Sequence, residues 1–380
     1  MSDIYQDSLE LHRRLRGKLA VKSKAELRDR RDLSLAYTPG VAAVSQAIAA
    51  DPRLAYEYTM KRNSVAVISD GSAVLGLGNI GPEAALPVME GKAVLFKEFA
   101  GIDAIPLCLA TQDAAEIIRT VKLIAPVFGG INLEDISAPR CFEIEERLIE
   151  ELDIPVMHDD QRGTATVVLA GLINALKVRQ IDAATARLVI NGAGAAGTAT
   201  ARLLLEFGFR DVTVCDSRGI IGPGRADLNA PKRRLAEKTN PRRLAGGLAE
   251  ALEQADVFIG VSVKNALPPE LVHKMRPGPI IFAMANPVPE IMPDEARAAG
   301  ASVVATGRSD FPNQVNNVLA FPGIFRGALD NGVRRITSSM LIAAARNLAA
   351  AVPEPAAERI LPDTLDRGLA ARVAAAVVNS

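Results

Sequence analysis

The chain has 380 residues, 49% hydrophobic and 23% charged. That composition belongs to a globular protein too long for one ordinary core, so two domains are expected. Lys plus Arg and Asp plus Glu each number 44, Trp is absent and aromatics are 4%, which argues against nucleic acid or an anionic membrane surface as the principal partner. The first ten residues are polar and acidic, unlike a signal peptide, and no apolar run is expected to span a membrane. Cys108, Cys141 and Cys215 form no C-x-x-C pair, and His12, His158 and His273 are scattered. Free thiols in the cytoplasm and no zinc site are the expectation.

In chain order, residues 5–19 predict a basic helix with an apolar stripe. Pro39 pushes Thr38 out of helical geometry, so Tyr37 should lie in an extended approach to a helix over 41–50. A short strand at 65–68 leads into a Gly-rich loop, 70–78, and Pro82 opens a helix reaching residue 99. Strands and helices then alternate: strands at 104–108, 126–131 and 154–157, helices at 113–124, 138–150 and 164–176. Alternation of this kind predicts βαβ units around a mainly parallel sheet. The fold class is α/β: a mainly parallel N-terminal domain, a Rossmann-type domain and a helical C-terminal tail, divided at 1–160, 161–350 and 351–380.

The second domain carries the densest motif. Residues 188–190 predict a buried strand, Gly192, Gly194 and Gly197 follow in G-x-G-x-x-G spacing with Ala193, Ala195 and Ala196 between them, and 198–207 predict a helix. In that order the glycines serve a tight turn, close approach to a pyrophosphate, and helix–strand packing, while the helix N-terminus faces the phosphates. A strand over 211–215 ends at Asp216, near the ~20-residue offset of an acid that binds an adenine ribose. Residues 217–225 predict a loop and 231–238 a basic helix. Further strands are expected at 255–261, 279–283 and 301–305, followed by polar loops, a helix from 318 and an Ala-rich helical tail.

Ligands of parallel α/β sheets collect beyond the carboxyl ends of the strands. Glu134-Asp135 and Asp159-Asp160 stand at two successive strand ends. Converging carboxylates repel unless a cation lies between them, and all-oxygen ligation suits Mg²⁺ or Mn²⁺; the alternative is solvated surface charge. Lys92 is either a solvated helix lysine or a base whose proton affinity falls near a metal and a nicotinamide. Tyr37 alone reads as a packing residue, and Asn286, Asn316 and Asn317 alone read as turn caps.

Seven stretches together resemble malic enzyme in its compact bacterial form. They are Ser34-Leu-Ala-Tyr-Thr-Pro-Gly-Val-Ala42, Ser69-Asp-Gly-Ser-Ala-Val-Leu-Gly-Leu-Gly-Asn-Ile-Gly81, Gly91-Lys-Ala-Val-Leu-Phe-Lys97, Asn132-Leu-Glu-Asp135, His158-Asp-Asp-Gln-Arg-Gly-Thr-Ala165, the glycine fingerprint, and Gly307-Arg-Ser-Asp-Phe-Pro-Asn-Gln-Val-Asn-Asn317. They run in family order over nearly the whole chain. The resemblance implies oxidation of malate by NAD or NADP with loss of CO₂ and release of pyruvate. By position it implies Lys92 as the base, Tyr37 as the acid that protonates the enolpyruvate carbon, and Asp159 as the acid supporting the lysine. It implies Glu134, Asp135 and Asp160 as ligands of Mg²⁺ or Mn²⁺, and Asn286 and Asn317 as substrate contacts, with Asn286 also beside the dinucleotide.

Two positions depart from the family pattern. Ala73 stands where longer members carry a malate-binding arginine, so the anchor must lie elsewhere. Arg162 stands where compact relatives carry His, suited either to the acidic cluster or to a phosphate. Asp216 favours NAD by itself, while Arg218, Arg225 and Lys232 to Arg234 are available to a 2′-phosphate. The resemblance also implies a homodimer or higher homo-oligomer, with the N-terminal helix as a candidate interface. The rival readings are a non-decarboxylating dehydrogenase of hydroxy or amino acids, and a non-catalytic NAD(P)-binding regulator.

Overall fold

The computed structural model describes residues 4–379. Two sheets form its frame. The first holds β1 (Ser64–Ser69), β2 (Asp103–Cys108), β3 (Gly130–Leu133) and β4 (Val156–His158), all parallel, in the order β2-β1-β3-β4. The second holds β5 (Arg187–Asn191), β6 (Asp211–Asp216), β7 (Gly219–Ile220), β8 (Val257–Gly260), β9 (Ile280–Ala283) and β10 (Val303–Thr306), in the order β10-β9-β8-β5-β6-β7. Only the β6–β7 pairing is antiparallel. Strands β1, β3, β8, β9 and β10 are buried along their whole length, as parallel strands covered on both faces must be.

Each sheet reverses its winding once. From β1 the chain steps outward to β2, then returns to β3 on the other side; from β5 it steps to β6, then returns to β8. The crevices beyond the carboxyl ends of β1/β3 and β5/β8 are therefore the places where ligands collect.

Local chemistry sets the element ends. The helix Pro82–Ala100 starts with proline behind Gly81 and stops at Gly101 in the left-handed region, φ 66°, the asymmetry expected of a proline start and a glycine stop. Asp113 caps Ala114–Ile124 by accepting the Glu116 N–H at 2.9 Å. The helix Thr164–Arg179 is buried over most of its length and lies in a core cluster that runs from Val65 and Phe96 through Leu188 and Ile259 to Phe321 and Val373. The two sheets thus share one continuous core. Gly323 and Gly327 let the helix Leu369–Ala374 approach Phe321–Asp330: a Cβ on them would stand 2.5 Å from Val373 Cβ and 2.4 Å from the Ala374 carbonyl.

Several expectations are corrected. The predicted strand at 126–131 is a 3-10 turn, Ala125–Val127, followed by β3, because Pro126 has no N–H to give a central ladder. The loop at 217–225 contains β7. The N-terminal helix ends at Leu15, and the short helices Leu248–Leu252, Pro269–Val272 and Pro293–Ala298 carry too few turns to leave a periodic signal. Beyond residue 336, only Ser338–Ala350 and Leu369–Ala374 are α-helical among the described residues. Residues 30–50 are, by length and composition, apolar enough to cross a membrane, contrary to the expectation. They form two helices, Arg30–Ala36 and Val41–Ala50, broken at Tyr37 to Gly40.

Candidate active site

At the β1/β3 crevice the sequence brings four carboxylates around one lysine. Glu134 and Asp135 leave the end of β3, and Asp159 and Asp160 leave the end of β4, its neighbour in the sheet. Residues 159–163 form a single π-helical turn before Thr164–Arg179, a distortion often found at functional sites. Gly163 makes that turn possible, because a Cβ there would lie 1.7 Å from Asp159 Oδ1.

Lys92 reaches the cluster from the middle of Pro82–Ala100. Its Nζ lies 2.6 Å from Asp159 Oδ2 and 2.8 Å from Glu134 Oε1, and 4.1 Å from the centre of the Phe321 ring. Phe321 is fixed edge-on to Phe96. Lys92 and Glu134 are 7% and 4% exposed, and Asp159 is fully buried. Burial would lower the lysine pKa, but the Asp159 and Glu134 carboxylates outweigh it and hold it above the ordinary value. A lysine so held is protonated; the expected fall belongs to the site with metal and nicotinamide in place, where the carboxylate charge is also engaged elsewhere. Glu134 is the group shared: Oε1 faces Lys92 and Oε2 accepts from the Asn132 amide at 2.9 Å.

Glu134, Asp135 and Asp160 each place one oxygen within 4.8 Å of the others. Burial, then the Asp160 and Glu134 charges, push the Asp135 carboxyl up to about 9; burial also raises Glu134 and Asp159. Asp135 adopts φ 54°, a left-handed conformation costing a residue with a Cβ roughly 1 kcal/mol. Its N–H donates to Asp160 Oδ2 at 2.9 Å, while its own Oδ2 is buried without a partner. A strained backbone that aims an unpartnered carboxylate oxygen at two others fits a hard divalent cation. The three residues suit that ion, and the thiols do not compete: burial pushes Cys141 and Cys215 up to about 12.

Asn317 joins this centre. Its Cβ lies 3.5 Å from where a Gly163 Cβ would stand, against the 159–163 turn. Asn286 is exposed, its carbonyl against Gly76 and its amide against Gly307. Tyr37 is not brought in. It is 68% exposed, at the break between the helices Arg30–Ala36 and Val41–Ala50, neither of which contains a buried residue. Arg162 turns to the buried Glu145, donating from Nε at 2.7 Å, and to the Ile336 carbonyl at 3.2 Å. It answers neither of its two expected partners.

Sequence reasoning missed Phe321 beneath Lys92, Asn132 beside Glu134, and the Arg140–Asp70 pair at 2.9 Å behind the loop at 70–81. Asn132 was within reach of inference, two residues before Glu134 on the same strand face. The other two depend on packing between distant segments.

The second crevice holds a cleft of about 770 Å³. Asn191, Gly192, Ala193 and Gly194 form its floor, Asp216, Ser217, Arg218 and Lys232 one end, and Ala138, Pro139 and Phe142 of the first half its near wall. The glycines divide as their spacing predicts. A Cβ on Gly192, φ 123°, would meet the Val261 carbonyl at 2.5 Å, and one on Gly197 the Gly192 carbonyl at 1.8 Å. Around Gly194 there is open space, as needed where a pyrophosphate approaches the N-terminus of Ala195–Phe207. The helix begins at Ala195, three residues earlier than predicted.

Asp216 ends β6 as expected, but both its oxygens are taken. Arg225 Nη1 lies 2.7 Å from one and Lys232 Nζ 2.5 Å from the other, and the Arg218 N–H donates at 3.0 Å. Burial disfavours its charge, yet Arg225 and Lys232 hold the carboxyl below the usual range.

A glycine-floored cleft of dinucleotide size, together with a buried lysine held by carboxylates, is the equipment of a nicotinamide-dependent oxidoreductase. Two family models match the chain, the malic enzyme N-terminal domain over residues 16–149 and the malic enzyme NAD binding domain over residues 161–380. The chain therefore belongs to the malic enzyme family. It is 57% identical over 378 residues to the bifunctional malic/malolactic enzyme of Bacillus subtilis, covering 99% of this chain and 92% of that one. It is 56% identical to the NAD-dependent malic enzyme of Geobacillus stearothermophilus, covering 96% and 76%. It is 50% identical to the NADP-dependent malic enzyme of Halomonas elongata, covering 94% and 84%. Among solved structures, the NAD-dependent malic enzyme of Thermotoga maritima superposes with a TM-score of 0.95 at 54% identity, covering 98% of each chain.

Proposed function

We propose that this protein oxidises L-malate with a nicotinamide dinucleotide and a divalent metal ion, releasing CO₂ and pyruvate in the cytoplasm. The observation that carries the reading is the buried Lys92 between Asp159 and Glu134, with Glu134 shared with the oxygen trio of Asp135 and Asp160. Residues 1–160 supply the lysine and carboxylates of this centre and 161–350 the glycine fingerprint of the dinucleotide cleft, with 351–380 as a tail.

A divalent ion at Glu134, Asp135 and Asp160 would supply Lewis acidity beside the reacting oxygen and orient the substrate. The remaining work falls to side chains. Lys92 takes the C2 hydroxyl proton as hydride leaves C2 for the nicotinamide. Asp159 holds the lysine in line. Asn317, beside the turn, and Asn286, against Gly76 and Gly307, hold the substrate between lysine and nicotinamide. After CO₂ departs, Tyr37 gives a proton to C3 of the enolpyruvate. Malate with Mn²⁺ should reduce the dinucleotide with matching pyruvate, and EDTA should stop it; oxaloacetate without pyruvate would leave only a dehydrogenase.

We read the ribose end as favouring NADP. Asp216 alone suits a 2′-hydroxyl, but Arg225 and Lys232 occupy it, and among the described residues the carboxylates paired with Arg218, Arg225 and Lys232 are those of Asp216 and Asp227. The surplus positive charge suits a phosphate. Lys232→Ala should cut kcat/KM for NADP about 10- to 100-fold, the value of a charge-assisted hydrogen bond, and raise it for NAD as the Asp216 oxygen that Lys232 holds is released. An unchanged NADP-to-NAD ratio would refute this.

We also propose a homodimer. Leu33, Leu35 and Tyr37 are 51%, 64% and 68% exposed, and Val41 and Val44 are exposed beside them. Such an apolar face calls for a covering surface, and a second copy supplies an identical one. Tyr37 would then act on a neighbour's substrate. Sedimentation should give twice the 40.2 kDa chain mass. Mixing inactive Tyr37→Phe with inactive Lys92→Ala should restore about a quarter of wild-type activity, because half of randomly mixed two-fold dimers carry one intact site. A monomer, or no restoration, counts against the shared site.

A further inference from the structure

A buried carboxylate joins the loops that follow β8 and β9. Glu290 is fully buried. Its Oε1 accepts the Ser262 N–H at 2.9 Å and the Ser262 hydroxyl at 3.3 Å, and its Oε2 accepts the Ala285 N–H at 3.0 Å. Its backbone carbonyl accepts the Leu267 N–H at 3.0 Å. Room for the carboxyl comes from Gly260, the last residue of β8, where a Cβ would stand 2.4 Å from Glu290 Cδ. Among the described residues no cation pairs with it; burial raises its carboxyl above the usual range, and the backbone N–H groups of Ser262 and Ala285 offset only part of that. An unpaired buried carboxylate is a costly way to fill a core, which points to a use for the geometry it imposes.

The two loops face different ligands. Ser262 lines the dinucleotide cleft, and its hydroxyl accepts from the Asn191 amide at 3.1 Å, next to Gly192. Ala285 precedes Asn286, which touches Gly76 of the loop at 70–81 and Gly307. Glu290 therefore holds the loop serving the dinucleotide at a set spacing from the loop serving the substrate.

We propose that Glu290 is a positioning residue that sets dinucleotide and substrate against each other through Ser262 and Asn286. This rests on the reading of Asn286 as a substrate contact. In Glu290→Gln one acceptor becomes an NH₂ group facing a backbone N–H, so one loop must move. KM for malate and for the dinucleotide should each rise about tenfold, the effect of one lost hydrogen bond on a binding constant, with kcat much less changed. Binding of the reduced dinucleotide, followed by its fluorescence without malate, should weaken in parallel. A purely structural role would lower the thermal transition and leave both KM values in place; that result overturns the proposal. If Glu290→Gln does not fold, Glu290→Asp, a methylene too short to reach both loops, should give the same split, and unchanged KM values there overturn it equally. Wild type that binds dinucleotide but does not oxidise malate would refute the assigned function, and the dinucleotide-binding comparison would still judge Glu290.

Discussion

Lys92→Ala is expected to abolish malate-dependent nicotinamide reduction, by about 10²- to 10⁴-fold, the usual contribution of a positioned acid or base. Loss of the base is only part of the change. Asp159 and Glu134, 2.6 and 2.8 Å from the missing ammonium, are left as buried carboxylates without a cation, which destabilises the fold. Lys92→Arg separates the two effects. A guanidinium can keep the ion pairs but does not surrender its proton near neutral pH, so that variant should recover stability and remain inactive. Thermal unfolding and steady-state turnover, measured on both variants, decide the matter. Near-wild-type turnover in folded Lys92→Ala would remove the lysine from the base role, whatever its contacts.

The acidic centre was legible because parallel βαβ topology converts sequence position into spatial position. Glu134 and Asp160 are far apart in the chain but follow adjacent strands, and the strand-end rule alone places them side by side. The glycine fingerprint was legible for a similar reason: each glycine answers a local steric demand, and the space around Gly192, Gly194 and Gly197 differs as those demands differ. What was not legible depends on side chains meeting across long separations. Asp216 carried the expected position but not its two cations, which arrive from a loop and a helix further along. The lysine's two ion pairs were not legible either, because they are made with carboxylates brought in by folding, not with its neighbours in sequence. Tyr37 was placed by motif in the centre, while its side chain is 68% exposed; exposure, a property of the folded surface, is not written in the motif.

The opposite signs expected of Asp160→Asn make it the sharper test of the metal centre. The amide keeps the shape of the carboxyl and can still accept the Asp135 N–H, now at 2.9 Å, so the turn at 159–163 should survive. What changes is charge. Asp160 is one of the groups that push the Asp135 carboxyl up to about 9, and removing its charge relieves repulsion among buried carboxylates. The metal-free variant should therefore melt at a higher temperature than metal-free wild type. For Mn²⁺ the sign reverses: one of three charged oxygen ligands is lost, and affinity should fall by about 100-fold, the upper end of what loss of an outer partner costs. Ligand-linked stabilisation grows with the logarithm of concentration over Kd, so the rise in melting temperature on adding Mn²⁺ should shrink. Mn²⁺ titration by electron paramagnetic resonance, together with melting curves with and without the ion, reads both signs without reference to turnover. A titration indistinguishable from wild type would take Asp160 out of the ligand set and leave its carboxylate as a backbone cap for Asp135 alone.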